Sequence, residues 1–211
     1  VKHDFGKSFL LPPALSVTTL DSLILVQLAY EPFIRTYHTE TFERLENQCL
    51  QPAERKLKYY KIRGPLHKAK KNIRTRMAYG YHSAQVYKDT LNQVLIRVLR
   101  APVEVENIYK LKLSKADSLF MFRFYGDSDL KGDRYILAQE QAALKRKPYL
   151  VQMYDYDFNF IREFESPVPF NLVGNVGRSY YSYGRHDGKK YWLYKWTWPE
   201  EYYSVEDGVE E

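Results

Sequence analysis

The sequence predicts an all-β protein built from repeated antiparallel units. Aromatic residues make up 16% of the chain, and 20 of them are tyrosines. Flat aromatic rings pack well on pleated, half-buried sheets. Three segments also share the same order of short strands and polar turns. With 211 residues, 45% of them apolar and 27% charged, the chain has an ordinary globular composition.

The first repeat covers residues 16–45, SVTTLDSLILVQLAYEPFIRTYHTETFERL. Apolar and polar residues alternate between clusters of turn-forming residues, which is typical of strands. Turns are predicted at Asp21-Ser22, around Glu31-Pro32 and over Thr39 to Thr41. The segment therefore predicts a four-stranded antiparallel meander.

The second repeat is split along the chain. Residues 83–99 supply two strands around the turn Lys88-Asp89-Thr90, and residues 149–166, YLVQMYDYDFNFIREFES, supply the other two. The third repeat covers residues 171–198, with turns at Asn175 to Gly177 and at Asp187-Gly188. An Asp-Gly pair is a strong hairpin signal. We predict propeller-like repeats of four-stranded meanders.

Two carboxylates, Asp155 and Asp157, stand close together in the second repeat. On one face of a strand they could act as acid and base, or bind a metal. The cluster Asp-Tyr-Asp-Phe-Asn is also rich in turn formers and lies between two predicted strands. We therefore interpret these residues as a hairpin turn.

Two segments interrupt the repeats and are predicted to be insertions, at about residues 46–82 and 100–148. The whole chain, residues 1–211, is predicted to be one domain, which can belong to a longer protein. The first insertion begins with a predicted short helix after Pro52. The second contains two strand-like stretches, IYKLKL and SLFMFRFY, and then a helix. Asp133 is placed to cap that helix, and Pro148 to stop it.

The phrases IRTYHTETFERL, VYKDTLNQVLIRVL and YLVQMYDYDFNFIREFESP resemble the TolB-like six-bladed β-propeller proteins of the Bacteroidetes. The best match runs from Tyr154-Asp155-Tyr156-Asp157-Phe158 through Ile161 and Glu163. The resemblance implies an exported, often lipid-anchored envelope protein, periplasmic or outer-membrane-associated, without transferable catalytic residues. Only three blade-like units can be counted. Either the chain is part of a longer protein, or further blades lie in the insertions, or the propeller is not closed.

Catalytic, metal and cofactor sites are not predicted. The five histidines lack metal-ligand spacing, and the single cysteine, Cys49, is interpreted as a small core residue. The loop GDSDLKGD fits an EF-hand at Asp127, Asp129 and Gly132, but Lys131 and Ala138 stand where ligands are needed. A polar loop is favoured, with weak calcium binding as the minor alternative.

The third repeat supplies the candidate binding residues. Its last strand places Trp192, Tyr194, Trp196 and Trp198 on one face, predicted to be core. The two strands also carry an aromatic stripe, which comprises Tyr180, Tyr181, Tyr183, Trp192, Tyr194 and Trp196. We interpret this stripe mainly as core, and the alternative is an exposed ligand platform. The predicted ligand-binding residues, for an unknown protein or carbohydrate, are Tyr181, Tyr183, Arg185, His186, Tyr191 and Lys195.

The net charge of +6 is concentrated in one segment. Ten of the 32 Lys and Arg residues lie between residues 55 and 76, and an acidic tail from Glu200 could neutralise them. The alternative is nucleic-acid binding through Lys58, Lys61, Arg63, Lys70, Lys71, Arg74 and Arg76. The longest apolar runs, such as Leu20 to Leu28, are too short to span a bilayer, and a basic start with an apolar signal core is not found.

The sequence therefore favours a non-catalytic ligand- or protein-binding module of the bacterial cell envelope. Two alternatives stay open. One is nucleic-acid binding through the basic segment, and the other is a hydrolase whose carboxylates come from separate blades.

Overall fold

The computed structural model describes residues 15–28, 33–50, 81–103, 106–115, 117, 133–185 and 191–203. These residues contain three antiparallel sheets. The first sheet consists of β1 (Leu15–Leu20), β2 (Leu23–Leu28), β3 (Phe33–His38) and β4 (Gln48–Cys49). The second sheet consists of β5 (His82–Asp89), β6 (Val94–Arg100), β7 (Tyr149–Asp155) and β8 (Phe160–Ser166). The third sheet consists of β9 (Asn171–Val176), β10 (Ser179–Arg185) and β11 (Tyr191–Thr197).

Strands follow one another in sequence order within each sheet, so that every sheet is a meander. The split repeat is confirmed, because β6 pairs with β7 along its whole length, from Val94 opposite Asp155 to Arg100 opposite Tyr149. The prediction of an all-β protein with antiparallel sheets is also confirmed. Within the described residues the three sheets do not form a closed propeller, and the third sheet has three strands rather than four.

The second sheet lies between the other two. Along β6, Val94, Ile96 and Val98 pack against residues of the third sheet, whereas Leu95 packs against the first. β6 is buried from Val94 to Leu99, as expected for a strand covered on both faces. Each such apolar side chain stabilises the fold by about 1.5 to 3 kcal/mol when fully buried.

The first strands of the three sheets, β1, β5 and β9, are neighbours. The amide N–H of Val86 in β5 donates to the Ser16 Oγ of β1 at 2.9 Å. The Gln85 side chain donates to the Leu172 carbonyl of β9 at 2.9 Å and accepts from the Leu172 amide at 2.9 Å. The sheets are thus joined along one edge while their faces stack.

One helix of the second insertion is confirmed as α1 (Asp133–Lys145). The side chain of Asp133, predicted to cap this helix, lies outside the part of the chain that the structure describes. Short 3-10 helices lie at Ile108–Lys110 and Glu200–Tyr203. The strand predicted for IYKLKL is wrong, because Asn107 Oδ1 accepts from the Tyr109 amide and starts a 3-10 turn. Ile108 then packs on α1 beside Ala143 instead of joining a sheet.

Two further predictions in the first repeat are corrected. Its fourth strand is β4 at Gln48–Cys49, while Arg44 makes only an isolated bridge with Tyr37. Cys49 is exposed rather than in the core. It lies opposite Phe33 on an edge strand, and the next residue, Leu50, takes the buried position. The predicted helix after Pro52 and the stretch SLFMFRFY lie outside the described residues.

Candidate binding face of the third sheet

One face of the third sheet points away from the second sheet. Residues directly opposite each other in an antiparallel pair share a face. The register pairs Tyr181 with Lys195 and Tyr183 with Leu193, and the Arg185 backbone pairs with Tyr191. Five of the six predicted ligand-binding positions therefore share this face, which we call the outer face. The sixth, His186, lies outside the described residues.

Large apolar side chains are exposed on the outer face. Tyr183 is 46% exposed, Tyr191 64% and Leu193 68%. The two tyrosine rings lie side by side, with centroids 6.3 Å apart and planes tilted by 44°. On β9, Val176 is 73% exposed. Exposed tyrosines beside aliphatic side chains are typical of surfaces that contact another molecule.

The opposite, inner face of the third sheet is core. The Tyr180 ring stacks on Trp198 at 4.1 Å, and Trp196 Nε1 donates to Ser182 Oγ at 2.7 Å. Trp198, just after the end of β11, is buried, whereas Trp192 near the start of the strand is half exposed. The predicted aromatic stripe is therefore wrong as a single face. Tyr181 and Tyr183 point outward, whereas Tyr180 and Trp196 point inward.

A buried carboxylate joins the second sheet to the third. Asp89, at the end of β5, is fully buried. Its Oδ1 accepts from the amides of Leu91 and Asn92 at 3.0 and 3.2 Å and from Asn175 Nδ2 at 2.9 Å. Its Oδ2 accepts from Asn92 Nδ2 at 2.6 Å and from the Tyr180 hydroxyl. Burial, reinforced by the hydrogen bond to Asp89, raises the pKa of Tyr180.

Asp89 was predicted only as a turn residue, in the turn Lys88-Asp89-Thr90, and its contacts are similar to those of Asp155. Both carboxylates bind amides two residues further on, and both bind an Asn side chain that follows. Asp89 differs from Asp155 because the third sheet buries it, and no local sequence pattern predicts this burial. With both oxygens engaged by turn and side-chain donors, Asp89 serves as a structural link between sheets.

The prediction that Asp155 and Asp157 form a turn agrees with the structure. Asp155 Oδ1 accepts from the amides of Asp157 and Asn159 at 2.9 and 2.8 Å, and its Oδ2 accepts from Asn159 Nδ2 at 2.9 Å. Phe158 has a φ of 66°, which the tight reversal requires. Asp157 is exposed, so the two carboxylates do not converge on a common site.

A cavity of about 500 Å³ lies beside the end of α1, between residues 145–149 and 165–169. Arg100 closes this end of the helix, donating to the carbonyls of Leu144, Lys145 and Lys147 at 2.9 to 3.1 Å. Burial, with the nearby Arg100 cation, lowers the pKa of Lys147 to about 7. Arg100 thus satisfies carbonyls that a helix end leaves open.

The predictions about metal sites, membrane spans and the basic segment concern residues that are only partly described. In the described part of the chain, no three His, Cys, Asp or Glu side chains are grouped to hold a metal ion. The described residues include no helix long and apolar enough to cross a membrane. The basic residues from Lys58 to Arg76 and the calcium-like positions Asp127 to Gly132 lie outside the described residues.

Comparisons with known proteins yield one similar structure. No protein-family model matches the chain, and no curated protein matches it. Among solved structures, the chain is similar to a member of the DUF4221 family from Bacteroides vulgatus, with a TM-score of 0.47 and 13% sequence identity. The likeness covers 80% of this chain, and the chain spans 39% of that structure's length.

Proposed function

We propose that this chain is a non-catalytic protein-binding module, whose outer face on the third sheet is covered by a protein surface. The observation that carries this proposal is the exposed group of Tyr183, Tyr191 and Leu193 on the paired strands β10 and β11. The second sheet has both faces buried by neighbouring sheets. The outer face of the third sheet carries the same kind of side chains without such a neighbour among the described residues.

A protein partner suits this face better than a carbohydrate. Sugar sites combine aromatic rings with polar groups that bind hydroxyls, and a specific small-ligand site is concave. Here Leu193 and Val176 accompany the tyrosines, and the charged side chain described on this face is that of Lys195. Tyrosine and apolar residues at the centre with a polar rim are typical of protein interfaces.

The hydrogen bonds of the buried and turn carboxylates support a role without catalysis. Asp89 and Asp155 accept from backbone amides and neighbouring asparagines, which uses their oxygens for hairpin geometry. A general acid or base needs a carboxylate aimed at a site where substrate can lie. These two carboxylates support turns instead.

The finer assignments rest on the sequence resemblance. We propose that the three sheets are propeller blades of the TolB-like kind and that the protein works in the bacterial cell envelope, as a periplasmic or lipid-anchored protein. The adjacent first strands and stacked faces support the blade-like arrangement. A precursor with an export signal ending in a lipid-attachment cysteine would support the location, and a cytoplasmic fractionation pattern would oppose it.

Cysteine labelling in expressing cells tests whether protein covers the outer face. The variants Leu193→Cys and Leu91→Cys, each in a Cys49→Ser background, place a thiol on that face and on an exposed hairpin, since Leu91 is 65% exposed. We expect maleimide to react at least about tenfold more slowly at position 193 than at position 91 in native extract. Equal rates, with protection of position 193 only by added oligosaccharides, would favour a carbohydrate platform instead.

A further inference from the structure

The cavity of about 500 Å³ lies where the end of α1, the start of β7 and the end of β8 meet. The described residues 145–149 and 165–169 line it. Small-molecule sites in proteins usually measure about 300 to 1,000 Å³, and apolar groups with a few polar ones line them. The cavity is therefore large enough to enclose a small organic molecule.

Part of the cavity lining is apolar and stiff. The segment Pro-Val-Pro at residues 167–169 follows β8, and Pro148 precedes β7. Each proline has a fixed φ angle. Ser166 Oγ also donates to the Val168 carbonyl at 2.8 Å, which holds the start of this segment. Tyr149 adds an aromatic residue to the lining. A stiff apolar wall needs little ordering when a ligand binds, which favours affinity.

The other lining residues are mostly cationic. Lys145, Arg146 and Lys147 follow one another at the end of α1, and Glu165 is the acidic residue among the described lining residues. Lys145, Arg146 and Glu165 are exposed, so solvent and salt screen their charges. Lys147 is only 2% exposed, which is rare for a lysine. The buried cationic group of the lining is therefore that of Lys147.

A second cation holds the backbone of Lys147. Arg100 donates to the Lys147 carbonyl at 2.9 and 3.1 Å and to the Tyr149 hydroxyl at 2.9 Å. Burial, and then the nearby Arg100 cation, lower the pKa of Lys147 to about 7. The surroundings thus disfavour the ammonium form of Lys147. A negatively charged group in the cavity would stabilise that form.

We infer that this cavity binds a small organic anion, whose single carboxylate meets Lys147 and whose apolar body packs on residues 167–169. The inference is independent of the protein partner proposed for the outer face. A carboxylate suits the site better than a phosphate, which carries close to two negative charges. One buried ammonium compensates one charge, and burying a further charge is costly. The neighbouring Arg146 and Arg100 are engaged by Asp117 and by backbone carbonyls.

Isothermal titration calorimetry with phenylacetate, indole-3-acetate and octanoate tests the inference. These acids combine one carboxylate with an aromatic or aliphatic body. We expect at least one of them to bind at pH 7 with a Kd below about 1 mM. The neutral amide of the same acid should bind at least about tenfold more weakly, because it lacks the charge that Lys147 meets. If all three acids fail to bind at this level, the inference is wrong.

Proton uptake tests whether Lys147 meets the anion. Because a bound carboxylate raises the pKa of Lys147 from about 7, binding at pH 8 should take up close to one proton per ligand. Titrations in Tris and in triethanolamine, which differ in ionisation enthalpy, measure this uptake. The affinity should also fall at least about tenfold between pH 7 and pH 9. The other charged or titratable groups described around Lys147 are Arg100 on β6, Tyr149 on β7, Glu165 on β8, and Lys145 and Arg146 beside it.

Substitutions assign the uptake to one of these groups. Lys147→Met should weaken carboxylate binding at least about tenfold and abolish proton uptake. The matched control Lys110→Met, at an exposed lysine, should change neither. Val168→Trp fills the cavity while Lys147 stays in place, so it should abolish binding even if Lys147→Met is poorly folded. Circular dichroism checks the fold of each variant. Binding without proton uptake, or binding that survives both cavity substitutions, would overturn the inference.

Discussion

The Tyr180 hydroxyl donates to the buried carboxylate of Asp89, which joins the third sheet to the β5–β6 hairpin of the second. The two residues are 91 positions apart in the chain. Asn175 and Asn92 bind the same carboxylate from the two sheets. The contact between these sheets therefore depends on a buried carboxyl group with both oxygens hydrogen-bonded, as well as on apolar packing.

The first prediction concerns this link. Asp89→Asn places an amide donor among groups that are themselves donors. It should lower the free energy of unfolding by about 2 to 4 kcal/mol. Tyr180→Phe should lower it by about 1 to 3 kcal/mol. The matched control is Tyr183→Phe, which removes a hydroxyl from an exposed ring and should change stability by less than about 0.5 kcal/mol. Urea denaturation measures all three, and equal effects of the two tyrosine variants would contradict the structural role.

The second prediction concerns pH. Because the pKa of Lys147 falls from 10.5 to about 7 on folding, the unfolded chain binds more protons than the folded chain between these values. Stability from this group therefore rises as the pH rises from about 7 towards 10.5. Urea midpoints at pH 6.5, 8 and 9.5 should increase in this order. Lys147→Met should remove most of the increase, and a slope unchanged by this substitution would rule out Lys147 as its source.

The third prediction concerns a close approach at Gly184. A Cβ at this position would lie 2.1 Å from Pro169 Cβ, which no real contact permits. Gly184→Ala should destabilise the fold by about 1 to 3 kcal/mol or more, because the third sheet must shift away from the segment before β9. Gly174→Ala is the matched control, since its nearest neighbour would be the Tyr87 hydroxyl at 4.0 Å. Thermal denaturation should separate the two variants clearly.

The fourth prediction concerns the β7–β8 hairpin. Asp155→Ala removes three hydrogen bonds that hold the reversal and should cost about 1 to 2 kcal/mol. Asp157→Ala, at an exposed neighbouring position, should be close to neutral. Chemical denaturation of the two variants gives the comparison. If Asp157→Ala lowered the free energy of unfolding more than Asp155→Ala does, the hydrogen bonds described for this turn would be contradicted.

Local features of the fold were predictable from the sequence. The alternation in YLVQMYD and the turn formers after it correctly predicted β7 and its hairpin, because period-2 patterns and Asx turns depend on neighbouring residues. The helix at residues 133–145 was predicted from helical spacing and from its end signals, which are also local patterns. The strand predicted for IYKLKL was wrong because an alternating segment forms a strand only where a partner strand is available. Ile108 packs on a helix instead.

The candidate site was less predictable. Tyr181, Tyr183, Tyr191 and Lys195 were selected as binding residues and do share one face, but Tyr180 was grouped with Tyr181 although neighbours on a strand point to opposite sides. Asp89 was taken as an ordinary turn residue. Nothing in its local sequence indicates that the third sheet buries it.

The sequence by itself determined the hairpins of the three repeats, such as β7 and its turn at Asp155, and the helix at residues 133–145. These properties follow from interactions between residues that are close along the chain. Only the tertiary structure decided which face each sheet buries, that Asp89 is a link between sheets, and that Tyr183, Tyr191 and Leu193 remain exposed. The physical reason is that apolar burial has no direction of its own. A strand with two apolar faces is equally suited to core on either side, until another sheet packs against one of them.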